Sequence, residues 1–144
     1  MKTIKFLALT LLTLFTISCS SDDNNSAQPV AGAGFVWSIN GQTTTKNTSV
    51  ANYNLQGTAM NLFATPSGTV FEINLTGSTP GTYTLGNGNA LYYNFSTTEN
   101  LTSPTTGSVT ITSFANNKVS GTFTASGVGT GVTSISGSFT NIGL

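Results

Sequence analysis

Very few side chains in this 144-residue sequence could carry out acid–base chemistry. The sequence has four lysines, four acidic residues, one cysteine and neither histidine nor arginine. Two carboxylates at a suitable separation can hydrolyse a glycoside, and Glu72 and Glu99 are the only acids after the N-terminal segment. Glu72 alternates with apolar residues along a predicted strand, whereas Glu99 falls in a polar stretch, 97–107, that predicts a loop. Nothing in the sequence brings the two together, so a glycoside-processing enzyme is the least favoured hypothesis.

Nucleophilic and metal-dependent chemistry are also poorly supported. A nucleophilic serine or threonine needs a base, and without histidine the candidates are Lys46 and Lys118, in a sequence that has no S-x-x-K pattern. The soft metal ligands are missing, and Asp22 and Asp23 do not have the spacing of a calcium-binding EF-hand loop. We therefore expect no catalytic residue, no metal site and no cofactor; the alternative is a calcium site built mainly from backbone and asparagine carbonyls, which has no sequence pattern. The formal net charge of zero also argues against nucleic acid as a partner, because such binding depends on cationic contacts to phosphates.

Aromatic residues are the remaining indication of binding. A planar ring beside amide side chains can stack on the apolar face of a sugar while the amides bind its hydroxyl groups. Tyr92 is the best candidate, since it lies on the opposite face of its predicted strand from Leu91, Tyr93 and Phe95. Asn94 falls in the same outward row. The sequence thus predicts a ligand-binding site at Tyr92 and Asn94, although an exposed tyrosine with no ligand is the commoner situation.

The N-terminus has the pattern of a secretory signal peptide. Lys2 and Lys5 precede an apolar run over residues 6–17, which is too short as a helix to cross a membrane. A small residue then precedes Cys19, as in the lipobox of bacterial lipoproteins, which this segment resembles despite Thr16 at a position where leucine is usual. We expect residues 1–18 to be the signal peptide and Cys19 to carry the lipid. An ordinary cleaved signal is the alternative, but it would leave a lone free thiol in an oxidising compartment.

The segment that follows is polar and has no apolar periodicity. Residues 20–26 resemble the acidic export signal of some Gram-negative surface lipoproteins, and the whole of 19–34 is predicted to be a flexible linker. The expected location is the outer membrane or cell surface, with the membrane as a partner through Cys19. Whether the domain faces the periplasm or the outside, and whether it forms oligomers, is left open.

From Phe35 onward the sequence predicts strands. Apolar residues recur at every second position in short runs separated by Gly, Pro, Asn and Ser, and Trp37 and Ile39 share a face with Phe35. Asn40 and Gly41 predict a type I′ hairpin turn. We expect one domain over 35–144, an antiparallel β-sandwich or closed barrel of about nine or ten short strands.

The last two predicted strands repeat each other sixteen residues apart, with the sequences V-S-G-T-F-T and I-S-G-S-F-T. In each copy a glycine, Gly121 or Gly137, lies between two apolar residues on the same face of the strand. A glycine there opens space for a large neighbouring side chain. Trp37 is an example of such a neighbour, and we interpret both glycines as packing positions and not as ligand contacts.

Four short motifs between Phe35 and Leu144 resemble a family of bacterial lipoproteins whose shared domain has no assigned function. The motifs are Trp37, Ile39, Asn40 and Gly41; Gly81, Thr82, Tyr83 and Leu85; Gly107 with Val109, Thr110, Ile111 and Thr112; and Ser120 to Phe123 with Gly137 to Asn141. The resemblance implies a small all-β domain behind a lipid anchor. It brings no catalytic residue.

Two further functional hypotheses follow. The first is a non-enzymatic, lipid-anchored binding or interaction module whose ligand is a glycan or another envelope protein. The second is a lipocalin-like barrel that encloses an apolar small molecule, which requires an interior cavity of at least about 300 Å³.

Overall fold

The computed structural model describes residues 32–65 and 70–144, and all of its regular elements are strands. The predicted signal peptide, Cys19, most of the predicted linker and the predicted turn at Pro66 to Gly68 lie outside these residues. The ten strands are β1 (Gly34–Ile39), β2 (Lys46–Thr48), β3 (Ala51–Gln56), β4 (Ala59–Ala64), β5 (Val70–Leu75), β6 (Gly81–Thr84), β7 (Ala90–Ser96), β8 (Glu99–Ala115), β9 (Lys118–Thr130) and β10 (Ser134–Ile142).

The strands form one antiparallel sheet that curls into a nearly closed barrel. The order around the barrel is β2-β1-β10-β9-β8-β7-β5-β4-β3, and β6 pairs with β8 outside this path. The ends of the path approach each other where the Tyr53 N–H of β3 donates to the carbonyl oxygen of Gly143, at 3.2 Å, just after β10. The predicted all-β class and strand number are confirmed, and the structure selects the barrel over the sandwich. In the described part of the chain, no helix has the length and apolar character needed to cross a membrane.

Tight asparagine turns determine two of the hairpins. Asn40 and Gly41 have φ values of 53° and 68°, and the Gln42 N–H donates to the carbonyl oxygen of Ile39 at 2.9 Å. This is the predicted hairpin turn, and it returns the chain into β2. The turn between β8 and β9 uses Asn116 and Asn117, both also at positive φ. Asparagine tolerates this backbone conformation better than most residues, which explains its place at both turns.

The long strand β8 corrects one expectation. The polar stretch 97–107 was predicted to be a loop, but β8 already begins at Glu99. Irregular pairing with β9 at three points, one of them between Pro104 and Thr106, lets this 17-residue strand bend around the barrel. Bulges tolerate proline and polar residues that disrupt regular alternation, so the apolar pattern missed this part of the strand.

The internal repeat produces a reciprocal packing arrangement. Because β9 and β10 are antiparallel, Gly121 lies opposite Phe139 and Gly137 lies opposite Phe123. A Cβ atom at Gly121 would lie 2.4 Å from Cζ of Phe139, and one at Gly137 would lie 2.6 Å from Cζ of Phe123. The glycines do make room for large neighbours, and Trp37 of β1 pairs directly with Gly137, as predicted for one of the two positions. The nearest ring atoms, however, belong to the phenylalanines of β9 and β10. The occupying rings are the repeat's own phenylalanines.

Candidate functional site

The outer face of β7 presents Tyr92 to solvent. Leu91 and Tyr93 are buried on either side of it, whereas the Tyr92 side chain is 42% exposed. Asn94 lies two residues along the same face and is also exposed. Both predicted binding residues therefore have the accessibility that the hypothesis requires, and their role in binding stays a prediction.

Residues from two further strands extend this face around Tyr92. Glu72 of β5 lies directly opposite Tyr92, and Phe63 of β4 lies directly opposite Glu72. Residues paired in this way have Cβ atoms about 5 Å apart on the same side of a sheet. Phe63 and Glu72 are each half-buried. The result is a row across three strands in which a carboxylate lies between two aromatic rings.

Amide side chains lie along this row. Asn61 of β4 pairs with Asn74 of β5, next to Phe63 and Glu72. The Asn74 Nδ2 donates to Oε1 of Glu72 at 2.9 Å, and the Asn61 Nδ2 donates to Oδ1 of Asn54 at 3.0 Å. These bonds hold the side chains in defined orientations on the sheet surface. We call the combined surface the outer platform; it consists of Phe63, Glu72, Tyr92, Asn61, Asn74 and Asn94.

The two acids that a glycosidase hypothesis needs lie on different faces of the barrel wall. Glu72 alternates with the buried residues Phe71 and Ile73 and so faces outward. Glu99 instead accepts a hydrogen bond from the buried Tyr93 on the inner side. Two acids that act on one glycosidic bond have to face the same space. The wall of the barrel separates these two.

A second polar cluster lies around Glu99 at the inner side of the wall. The Lys46 Nζ of β2 donates to both carboxylate oxygens of Glu99, at 2.6 and 2.8 Å, and the Tyr93 hydroxyl donates to Oε1. The Lys46 ammonium also lies 4.2 Å from the centre of the Phe95 ring. Lys46 pairs with the buried Trp37 of β1 in the sheet register, which directs its side chain inward. The cluster links β2 to β7 and β8.

The cluster changes the acidities of its members. Burial, with the hydrogen bond to Glu99, raises the pKa of the Tyr93 phenol well above its ordinary value. Burial also raises the pKa of Glu99, but the hydrogen bonds from Lys46 and Tyr93 lower it by more, so the net pKa lies below its ordinary value. Glu99 is therefore an anion at neutral pH, held by its partners. This arrangement stabilises the ion pair and leaves Lys46 engaged, so it does not provide a free base.

The barrel interior is filled by aromatic rings. The Phe71 ring lies 5.1 Å from that of Phe35 and 5.0 Å from that of Phe123, measured between ring centres. Tyr93 packs edge-on against both Phe71 and Trp37. These rings fill the part of the interior between β1, β5, β7 and β9, and the lipocalin-like hypothesis stays a prediction.

A pocket of about 110 Å³ lies instead at the start of β1. Val36, Thr48 and Thr140 are among the residues that line it. Its volume is well below the range of about 300–1,000 Å³ that is typical of small-molecule sites. Within residues 32–65 and 70–144, no group of three or more His, Cys, Asp or Glu side chains could hold a metal ion.

Comparison with known protein families assigns the chain to a family. Residues 33–143 match the model of a family described as "Domain of unknown function (DUF6252)". The chain belongs to this family. No curated protein and no solved structure matches it.

The family match confirms part of the resemblance seen in the sequence. A shared domain without an assigned function was expected from Phe35 onward, and the matched residues, 33–143, cover that region. That its members are lipoproteins stays a prediction. The description assigns no site, so the outer platform and the Lys46–Glu99 cluster are known from the geometry of this chain.

Sequence reasoning found only part of the outer platform. Tyr92 and Asn94 were predicted from alternation within one strand, but Phe63 and Glu72 were not associated with them. Both residues do alternate with buried neighbours, so their outward direction could be read from the sequence. Their position beside Tyr92 depends on β5 pairing with β7 instead of with β6, which local patterns do not determine.

Proposed function

We propose that this protein is a non-enzymatic, lipid-anchored binding module of the Gram-negative outer membrane or cell surface. The anchor in this proposal is the lipid on Cys19. The observation that carries the binding proposal is the 42% exposure of Tyr92 on a face that also holds a carboxylate and several amides. An exposed ring among ordered polar side chains is a typical feature of a recognition surface.

The chemistry of the described residues supports binding over catalysis. Glu72 and Glu99 face opposite sides of the wall, and Lys46 is bound to Glu99. The second lysine, Lys118, lies at the turn between β8 and β9, on neither the outer platform nor the inner cluster. A general acid and base in mutual reach of one substrate are therefore not assembled from these groups.

The binding proposal is tested with a panel of polysaccharides and envelope glycans. We expect saturable binding by the wild-type protein that is lost in Tyr92→Ala. Val128→Ala is the matched control, because Val128 is another exposed apolar residue, 68% exposed, on β9. Binding that persists in Tyr92→Ala would support a binding module but would show that its site does not depend on Tyr92. If no glycan binds, envelope proteins become the partners to search for.

The anchor is tested separately at Cys19. Wild-type protein grown with labelled palmitate should carry the label and fractionate with the outer membrane, because several acyl chains give stable anchoring. Cys19→Ser should lose both the label and the membrane association. An unlabelled wild-type protein would refute the lipid anchor while leaving the binding proposal intact.

A further inference from the structure

We propose that the ligand of the outer platform is a neutral, linear polysaccharide that lies across β4, β5 and β7. This inference rests on the function proposed above and names the chemical class of its ligand. Three features of the outer platform carry it: the spacing of its two rings, the polar groups between them and its lack of cations.

The two rings define a direction across the strands. Phe63 and Tyr92 both pair with Glu72 from opposite sides, so they lie two strand spacings apart. Neighbouring strands are about 4.8 Å apart, which separates the two side chains by about 10 Å. A single small ligand cannot stack on both rings at that separation. A chain of linked sugar rings that runs perpendicular to the strands can contact each of them in turn.

The polar groups between the rings match the hydroxyl groups of a sugar. Glu72 is an acceptor on both oxygens when ionised, and Asn61 and Asn74 each carry an acceptor and two donors, one of which is already bonded to Asn54 or Glu72. The hydrogen bond from Asn74 to Glu72 orients both groups before a ligand arrives. Hydrogen bonds from hydroxyl groups to a carboxylate are about twice as strong as neutral ones. Such a surface can bind uncharged hydroxyl groups.

The charges of the described residues disfavour an anionic ligand. Glu72 is the only charged group of the outer platform. Of the lysines in the described residues, Lys46 is paired with Glu99 on the inner side, and Lys118 lies at the turn between β8 and β9, outside the strands that form the outer platform. An anionic polysaccharide would meet Glu72 with no cation to compensate it, and like charges repel. A neutral chain avoids this cost.

The test is affinity electrophoresis of the full chain in mild detergent, with polysaccharides cast into the gel. Mixed-linkage β-glucan, glucomannan and amylose are the linear neutral probes, and polygalacturonate and alginate are the linear anionic ones. We expect retardation by at least one neutral probe and by neither anionic probe. Tyr92→Ala, Phe63→Ala and Glu72→Gln should each weaken binding at least about tenfold, as central contacts commonly do. Val128→Ala should stay within about twofold of wild type.

Two additional variants distinguish a loss of binding contacts from a loss of folding. Tyr92→Phe keeps the ring and should bind within about threefold of wild type, whereas Phe63→Tyr should restore the binding that Phe63→Ala removes. Thermal unfolding of every variant identifies any that has lost the barrel. Weakened binding in variants that unfold at the wild-type temperature supports the proposal.

Several outcomes would overturn the inference. Retardation by an anionic probe that depends on Tyr92 would refute the neutral ligand and leave the binding module in place. Retardation by neutral probes that none of the platform substitutions changes would refute the platform as the site. If no probe is retarded, a photoreactive amino acid at position 92 in living cells tests whether the outer platform contacts any partner. A crosslink to a protein or to a second copy of the chain would refute the polysaccharide ligand and keep the outer platform as a binding face. The absence of any crosslink would refute both the polysaccharide ligand and the binding face.

Discussion

The reciprocal glycine–phenylalanine pairs give the sharpest stability prediction. Gly137 lies in the middle of β10, between β1 and β9. The Cβ atom of an alanine at this position would lie 2.3 Å from the carbonyl oxygen of Val36 and 2.6 Å from Cζ of Phe123. Both separations are far shorter than the distance of about 3.5 Å at which non-bonded carbon atoms pack best. Gly137→Ala therefore forces a strand or a ring to move.

The size of the effect follows from what has to move. The Phe123 ring is 2% exposed and packs against Phe35 and Phe71, so it has no space into which it could rotate. Overpacking a core costs about 1–3 kcal/mol, and a clash with both a ring and the backbone belongs at the upper end. We expect a loss of about 3 kcal/mol from a total stability of about 5–15 kcal/mol.

Urea unfolding followed by tryptophan fluorescence measures this loss, because Trp37 is buried beside the substitution. With a slope of about 2 kcal/mol per molar urea, the midpoint should fall by roughly 1.5 M. Gly143→Ala is the matched control, since a Cβ there meets nothing within 4 Å. The control should be neutral or stabilising by less than about 1 kcal/mol.

A double substitution tests the assigned cause. Phe123→Leu removes the ring atom nearest to the new Cβ, so Phe123→Leu with Gly137→Ala should lose less stability than the sum of the single changes. We expect a coupling energy of about 1 kcal/mol, which is within the usual range for residues in contact. A Gly137→Ala midpoint equal to that of wild type, or two single effects that add without coupling, would refute the packing argument.

Three further predictions concern the inner cluster and a turn. The hydrogen bonds of Glu99 keep its folded pKa below its unfolded value, so the stability that Glu99 contributes is present above about pH 5 and is lost as the pH falls through the folded pKa. Glu99→Gln should flatten this acid dependence in urea unfolding at pH 7 and pH 3, and an unchanged dependence would contradict the assignment. Tyr93→Phe removes a hydrogen bond to a charged group and should lower the free energy of unfolding by about 1.5–3 kcal/mol, measured by thermal unfolding. Tyr92→Phe, on the exposed face, is the control and should change it by less than about 0.5 kcal/mol. The Oδ1 atom of Asn40 accepts hydrogen bonds from Thr133 N, Thr133 Oγ1 and Ser134 N. Asn40→Gly keeps the positive φ but loses these bonds, so its free energy of unfolding, measured by chemical denaturation, should fall by about 1–2 kcal/mol. An Asn40→Gly protein as stable as wild type would show that these bonds contribute nothing.

Local features of the fold could be predicted from the sequence because they depend on neighbouring residues. Alternation with a period of two residues determined which side chains of β1 and β7 face inward, and so placed Trp37 inside and Tyr92 outside. The turn at Asn40 was predicted for the same reason, since its backbone conformation depends on two adjacent residue types. The signal peptide and the lipidation of Cys19 were also inferred from a contiguous sequence pattern, and they stay predictions.

Only the tertiary structure decided the features that join distant segments. Barrel and sandwich share the same alternation, and the choice between them depends on which strand edges meet, here β3 and the end of β10. The bond from Lys46 to Glu99 spans 53 residues, and the row from Phe63 to Tyr92 requires β7 to pair with β5. Pairing over such distances is set by register, bulges and the packing of the whole core, which a pattern with a period of two residues does not contain.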